Sequence, residues 1–303
     1  MTHPSAQQPS TGRRFASPLS RALARRAGLD LQDVVGSGPR GRIVRADVEA
    51  ALGGAGQAPA AAGQATPAYS EIGNSFARKL LARRLTESKQ RAPHFYARID
   101  CNMETCMHMR AAAVAQAGSV GIKPSLNDYV IKAVALALRD VPGVNASFTE
   151  AAIRRYRQIN ISVAVALDDG LVTPVVTDAD TKSVLQIAEE MQQLARQARG
   201  GGLKPGSSSG GSFSVSNLGG HGVREFAAVI NPPQGAILAV GAAEPRAVVQ
   251  DGRLAVATMM SVTLSVDHRA IDGVVAARWL AAFKRHLEQP HADDGWTAPP
   301  AVP

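Results

Sequence analysis

His268, Asp272 and Gly273 close the run Asp267-His268-Arg269-Ala270-Ile271-Asp272-Gly273. An imidazole titrates near neutrality, so a histidine held rigidly with its ring facing a cavity is a candidate general base. Asp272, four residues on, can orient or electrostatically support that corner, and Gly273 permits a tight entry into a following helix. Taken alone, His-x-x-x-Asp fits a hydrogen-bonded histidine in a packed corner equally well. Other segments have to decide between the two.

The elements around the corner can be read from periodicity. Val262, Leu264 and Val266 alternate with Thr263 and Ser265, the period of a half-buried strand, and residues 274–287 carry apolar positions at helical spacing. The corner therefore joins a strand to a helix. Residues 212–219 read as a strand with small hydroxyls on one face, and residues 235–241 and 253–266 supply two more. Residues 160–167 read as an apolar strand, Asp168-Asp169-Gly170 as a hairpin turn and residues 171–176 as its return. Helices are expected over 78–88, 103–115, 126–138 (strongly apolar, hence buried) and 184–198, with a flexible segment over 200–211. This inventory is a mixed sheet with helices packed on it, an α/β (α+β) sandwich rather than a barrel or a doubly wound fold.

Composition sets the outer bounds. The 303 residues are 45% hydrophobic and 19% charged, enough for a sizeable core, and no apolar run is long enough to span a bilayer. Cys101 and Cys106 fit neither a zinc pair nor a redox motif and read as structural or incidental thiols in a reducing compartment; a cytoplasmic location, or the mitochondrial matrix in a eukaryote, is expected. No metal site is expected. Of the +8 formal charge, half falls in residues 1–52, where eight arginines face four acids. A basic knob on a nearly balanced body suggests an acidic partner, and 4% aromatic content gives few stacking platforms for nucleic acid. Neither a nucleic-acid nor a membrane role is expected.

That knob reads as a very small helical unit. Ser17 and Pro18 are a cap and a first-turn proline, Leu19, Leu23 and Ala27 follow at helical spacing, and Gly28 is placed to end the helix. The loop Gly36-Ser37-Gly38-Pro39-Arg40-Gly41-Arg42 lacks the ending of a phosphate-binding loop and leads to a second helix over 45–52. About 40 residues is near the lower limit for independent folding, so an arginine-rich unit this small suits docking better than catalysis. The expected boundaries are a disordered start (1–12), the docking unit (13–52), an uncharged Gly/Ala/Pro linker (53–68), a large domain (69–288) and a polar tail (289–303).

Two sets of motifs carry a resemblance. Ser17-Pro18-Leu19-Ser20-Arg21-Ala22-Leu23-Ala24-Arg25, with residues 36–43 and Asp47-Val48, resembles the peripheral subunit-binding domain of 2-oxo acid dehydrogenase complexes. Residues 160–165 and 170–176, Ser214-Val215-Ser216-Asn217-Leu218-Gly219, Ile230-Asn231-Pro232-Pro233-Gln234 and residues 267–273 resemble, in that order, the catalytic domain of dihydrolipoamide acyltransferases, closest to the acetyl-transferring branch. The resemblance implies a chloramphenicol-acetyltransferase-like fold and a homotrimer with sites between subunits. It implies coenzyme A or acetyl-coenzyme A as substrate, His268 as base on the thiol, Ser216 as donor to the oxyanion and Asp272 as support for the histidine loop. Arg21, Arg25 and Arg42 would engage acidic side chains of dihydrolipoamide dehydrogenase, the decarboxylase component, or both.

The pattern also has departures. A lipoyl domain usual in the family does not precede Arg13, so the lipoyl group is expected on a separate carrier or on a removed segment. Asp293 and Asp294 make residues 289–303 a poor plug for a neighbouring trimer, because burying them unpaired is costly, and an isolated trimer is expected. His221 stands where the family often has an apolar residue. His94, His108, His221 and His286 are read as structural or surface groups. Two alternatives stay open, a non-catalytic docking scaffold and a small-molecule acetyltransferase of the chloramphenicol type.

Overall fold

The structure, a computed structural model, describes residues 15–53, 69–117, 121–167, 170–204 and 206–296. The expected disordered start, nearly all of the linker, Asp168-Asp169 and residues 297–303 lie outside the described residues. The chain divides into two units between Ile72 and Gly73.

In the first unit, α1 (Pro18–Ala27) starts where Ser17 Oγ accepts from Ser20 N at 3.1 Å, with Pro18 in the first turn. Gly28 ends it at φ 66°, a left-handed conformation that glycine adopts without penalty. A 3-10 turn (Pro39–Gly41) leads to α2 (Arg45–Gly53). Asp47 ties the connecting loop to α2: its carboxylate accepts from Ser37 N (3.0 Å), Ser37 Oγ (2.6 Å) and Val44 N (2.8 Å), and these bonds lower its pKa. The small core is Ala24, Val34, Ile43 and Val48. Leu19, expected on the inner stripe, is 53% exposed; Ser20 and Ala24 face inward instead. Small residues let the helix approach closely, and Ser20 Oγ donates to Ile43 O at 3.1 Å.

The second unit comprises α3 (Phe76–Arg91), β1 (His94–Asn102), α4 (Glu104–Ala117), α5 (Leu126–Asp140), β2 (Ala146–Phe148), β3 (Ile153–Arg155), β4 (Ile161–Val163), β5 (Val165–Leu167), β6 (Gly170–Val172), β7 (Val175–Val176), α6 (Val184–Arg199), β8 (Phe213–Asn217), β9 (Ala236–Gln250), β10 (Arg253–Asp267) and α7 (Gly273–Glu288). The main sheet runs β1-β10-β9-β8-β4-β7. It is mixed: β8 lies parallel to β4 and β9, and the other pairs are antiparallel. Val262, Leu264 and Val266 enter one core with α4, α5, α6 and α7, as their alternation required. Residues 128–138 of α5 are all buried, which agrees with their apolar run. On the opposite face, residues 226–230 of a long loop cover Ile237 and Ala239.

Three expectations change. Residues 160–167 form two strands: the pairing of β4 with β8 ends at Ala164 N to Val215 O (2.9 Å), after which β5 and β6 leave the main sheet as a separate ribbon and only β7 returns to β4. The segment 200–211, expected to be flexible, is held by Val175 N to Ser207 O (2.9 Å) and Asn160 Nδ2 to Gly210 O (3.1 Å). The polar tail is docked as far as it is described. Asp294 pairs with Arg139 at 2.8 Å, Gly295 O accepts from Val184 N at 3.0 Å, and Trp296, 2% exposed, stacks on Tyr129 at 6.1 Å.

Candidate active site

β10 delivers the corner residues. Its last member, Asp267, is 5% exposed, and its N–H donates to Gly235 O (2.8 Å). The next residue, His268, turns outward: its backbone N donates to Pro93 O (3.0 Å), while its ring stays exposed. The ring meets Phe95 edge-on, centroids 5.2 Å apart at 86°, and no hydrogen bond to it is formed among the described residues. Asp272 caps α7 by accepting from Val275 N at 2.9 Å. Its carboxylate makes no hydrogen bond to the His268 ring among the described residues.

Ser216 sits near the end of β8. Phe213 and Val215 point into the helix-side core, so Ser214 and Ser216 point to the other face. The Ser216 side chain is half-buried and has no hydrogen-bond partner among the described residues, whereas Ser214 is bonded to Gln234, which reaches on to Ser162 at 2.8 Å. Asn217 fixes the turn that follows: its side chain donates to Asn127 Oδ1 (2.9 Å) and accepts from Gly219 N (2.8 Å).

The structure does not bring His268 and Ser216 together within one chain. Ser216 is in register with Ala239, and Ala239 with Thr263. His268 lies five residues beyond Thr263, about 16 Å along the strand at about 3.3 Å per residue, with two strand spacings across.

Residues that sequence reasoning passed over surround the corner. Asp267 and Arg269 pair at 2.7 Å, and Arg269 lies over the Phe148 ring at 4.2 Å. The adjacent charges of Asp267-His268-Arg269 were the available signal. A notch of about 250 Å³ beside this pair is lined by Arg91, Phe148, Ile230, Gln234, Asp267 and Arg269. A cavity of about 960 Å³ lies between α4, α5 and α6 and includes neither His268 nor Ser216.

The remaining expected groups fall as follows. Arg21, Arg25 and Arg42 are all exposed, the first two one turn apart on α1. His94 is structural: its Nδ1 contacts Ala92 O (2.8 Å) and its Nε2 accepts from Ile230 N (3.2 Å). His286 is buried against Asp140 at 2.8 Å. Burial pushes the Cys101 and Cys106 thiols up to about 12, so neither is a ready nucleophile. Among the described residues no cluster of three or more His, Cys, Asp or Glu could hold a metal, and no helix is long and apolar enough to cross a membrane.

Residues 66–292 match the family model of the 2-oxoacid dehydrogenases acyltransferase (catalytic domain), and residues 14–49 that of the e3 binding domain. The chain is 44% identical to the dihydrolipoyllysine-residue acetyltransferase component of the pyruvate dehydrogenase complex of Rhizobium meliloti, covering 91% of this chain and 67% of that protein. It is 47% identical to mitochondrial component 2 of Arabidopsis thaliana, covering 93% and 54%. Among solved structures, a probable dihydrolipoamide acetyltransferase from Listeria monocytogenes superposes with a TM-score of 0.71 at 35% identity, over 73% of this chain and 95% of that one. Azotobacter vinelandii dihydrolipoamide acetyltransferase, in a study of the role of a serine, a histidine and an asparagine in its catalytic mechanism, superposes with a TM-score of 0.70 at 31% identity, over 73% and 92%. With its catalytic domain and an e3 binding domain both matched, the chain belongs to the family of 2-oxoacid dehydrogenase acyltransferases and is an acyltransferase.

Proposed function

We propose that the protein moves an acetyl or other short acyl group between the thiols of a dihydrolipoyl group and coenzyme A, as part of a pyruvate dehydrogenase complex. The observation that carries this reading is a spacing. In the Azotobacter enzyme the three residues studied stand 52 positions apart from serine to histidine and four from histidine to asparagine; Ser216, His268 and Asp272 stand at the same intervals. Asp272 departs by being a carboxylate, which here caps α7.

In this mechanism the neutral His268 imidazole takes the proton of the attacking thiol, whose unperturbed pKa of about 8.5 leaves it mostly protonated near neutrality. The thiolate adds to the thioester carbon, and the carbonyl oxygen becomes an oxyanion. Ser216 Oγ of a neighbouring copy donates to that oxygen. Collapse expels the second thiolate, which recovers the proton from the imidazolium. The separation of His268 from Ser216 within one chain supports a homotrimer with sites between copies. The lipoyl group arrives on a carrier outside the catalytic domain. The docking unit, over residues 13–52, binds dihydrolipoamide dehydrogenase, the decarboxylase component or both through Arg21, Arg25 and Arg42. Presence of both His268 and Ser216 favours catalysis over a passive scaffold.

The test supplies acetyl-coenzyme A with free dihydrolipoamide, a lipoylated domain, or a panel of amines and alcohols, using His268→Ala as control. Transfer to the two thiol acceptors, abolished in the variant, is expected. Transfer to amines or alcohols alone, or an unaffected variant, would overturn the proposal.

A further inference from the structure

We infer that Asp267 and Arg269 are positioning residues that close the turn around His268 into a clamp, with Phe148 as its platform. The inference rests on His268 being the base and extends that reading to the groups that aim it. Residues 267–271 form a turn in which a single carboxylate does most of the bonding. Asp267 accepts from Arg269 three times, through the backbone N (3.1 Å), Nε (3.0 Å) and Nη2 (2.7 Å). Its carbonyl accepts from Ala270 N and Ile271 N, each at 3.0 Å. The residue on either side of His268 is therefore locked to the other, and the histidine backbone between them is fixed at both ends.

The far side of Arg269 is fixed as well. Its guanidinium lies 4.2 Å from the centroid of Phe148 on β2, so the fork can neither rotate nor withdraw without losing an aromatic contact. His268 N is bonded to Pro93 O, and the ring packs edge-on against Phe95. Asp267 is 5% exposed, so its charge without Arg269 would be a buried, unpaired carboxylate, and the strand end would rearrange to reach water. The requirement is for a fork and not merely for a positive charge: a lysine offers a point charge with no plane to lie on Phe148 and no parallel pair of donors.

The test compares acetyl transfer to dihydrolipoamide, with melting temperature, for the full chain in its native assembly and for Arg269→Lys, Asp267→Asn, Asp267→Asn/Arg269→Gln, Phe148→Leu and His268→Ala. Because a misplacement of about 1 Å can cost about a hundredfold, kcat in Arg269→Lys should fall tenfold or more while KM for acetyl-coenzyme A stays within about twofold. The double variant should be no worse than the poorer of its parts, since both changes break one unit. Phe148→Leu leaves the ion pair intact and should still lower kcat severalfold, which keeps the test open if Asp267→Asn does not fold. Folded Arg269→Lys or Phe148→Leu with wild-type kcat would overturn the clamp, as would losses that track raised KM or the unfolded fraction. His268→Ala separates the two claims. If it stays active, the assignment of the base fails and the clamp with it; if it is inactive while the clamp variants are normal, only the clamp fails.

Discussion

Ser216 lies on β8 and His268 directly after β10, with β9 between the two strands, and the five residues from Thr263 to His268 hold them about 16 Å apart along the strand direction. A site that needs both must be assembled from two copies. Chains carrying His268→Ala and chains carrying Ser216→Ala should each be nearly inactive alone, with losses of about a hundredfold or more. Co-expressed, they should regain activity on the order of a quarter of the wild type, because random pairing unites an intact histidine with an intact serine at that frequency of interfaces. Turnover assays on the mixed assembly check this, and a mixture no better than its parts would refute sites between copies.

The docking unit makes an electrostatic prediction. Arg21, Arg25 and Arg42 are exposed on a unit with few acids, so reversing any of them, as in Arg21→Glu, should weaken binding to dihydrolipoamide dehydrogenase about tenfold or more. Wild-type affinity should also fall as salt rises, since exposed charges are screened within about 10 Å at about 0.1 M. Calorimetric titration at two salt concentrations measures both effects. Salt-independent binding would place the contact elsewhere.

Trp296 tests whether the chain end is part of the core. At 2% exposure and stacked on Tyr129, its replacement by alanine should cost about 3–5 kcal/mol, read as a lowered urea midpoint. Removing the Arg139 partner of Asp294 should loosen the same segment by less, because that pair is partly solvated. An unchanged midpoint for Trp296→Ala would mean that residues 291–296 do not pack on α5.

Lys132 predicts an alkaline response. The ammonium is 2% exposed, its Nζ donates to Asp180 O (2.8 Å) and Lys182 O (2.7 Å), and burial, the foremost cause, lowers its pKa to about 8. As pH rises through 8, the folded chain sheds this proton while the unfolded chain keeps it up to about 10.5, so this group adds stability with rising pH. The buried thiols act oppositely: from about 9 upward the unfolded chain ionises first and stability is lost. Between about pH 8 and 9 the wild type should therefore gain about 1 kcal/mol relative to Lys132→Met, whatever the offset between the two proteins. Urea titrations across that window check the sign. Parallel curves would show that Lys132 keeps its ordinary pKa.

Local signals were legible in the chain itself. Ser17, Pro18 and Gly28 bounded α1 because caps and left-handed termini are settled within a few residues. The alternation in 262–266 identified the buried face of β10, and the apolar run of α5 identified a central helix, because periodicity reports burial directly. The ordered motifs at 160–165, 170–176, 214–219, 230–234 and 267–273, with the docking-unit motif at 17–48, were enough to name the family. Leu19 was misjudged because spacing alone does not say which side of a short helix its partner needs in close approach.

What the tertiary structure decided are relationships between residues far apart in the chain. The β8-β9-β10 register separates Ser216 from His268, and one intervening strand more or less would have changed that distance. Arg269 finds Phe148, and Asp294 finds Arg139, only after the whole sheet and its helices close. Residues 160–167 divide between β4, which pairs with β8 in the main sheet, and β5, which pairs with β6 in a separate ribbon. Short-range order is written in propensity and period; hydrogen-bond partners and ion pairs across long loops are chosen by the packing of the complete core.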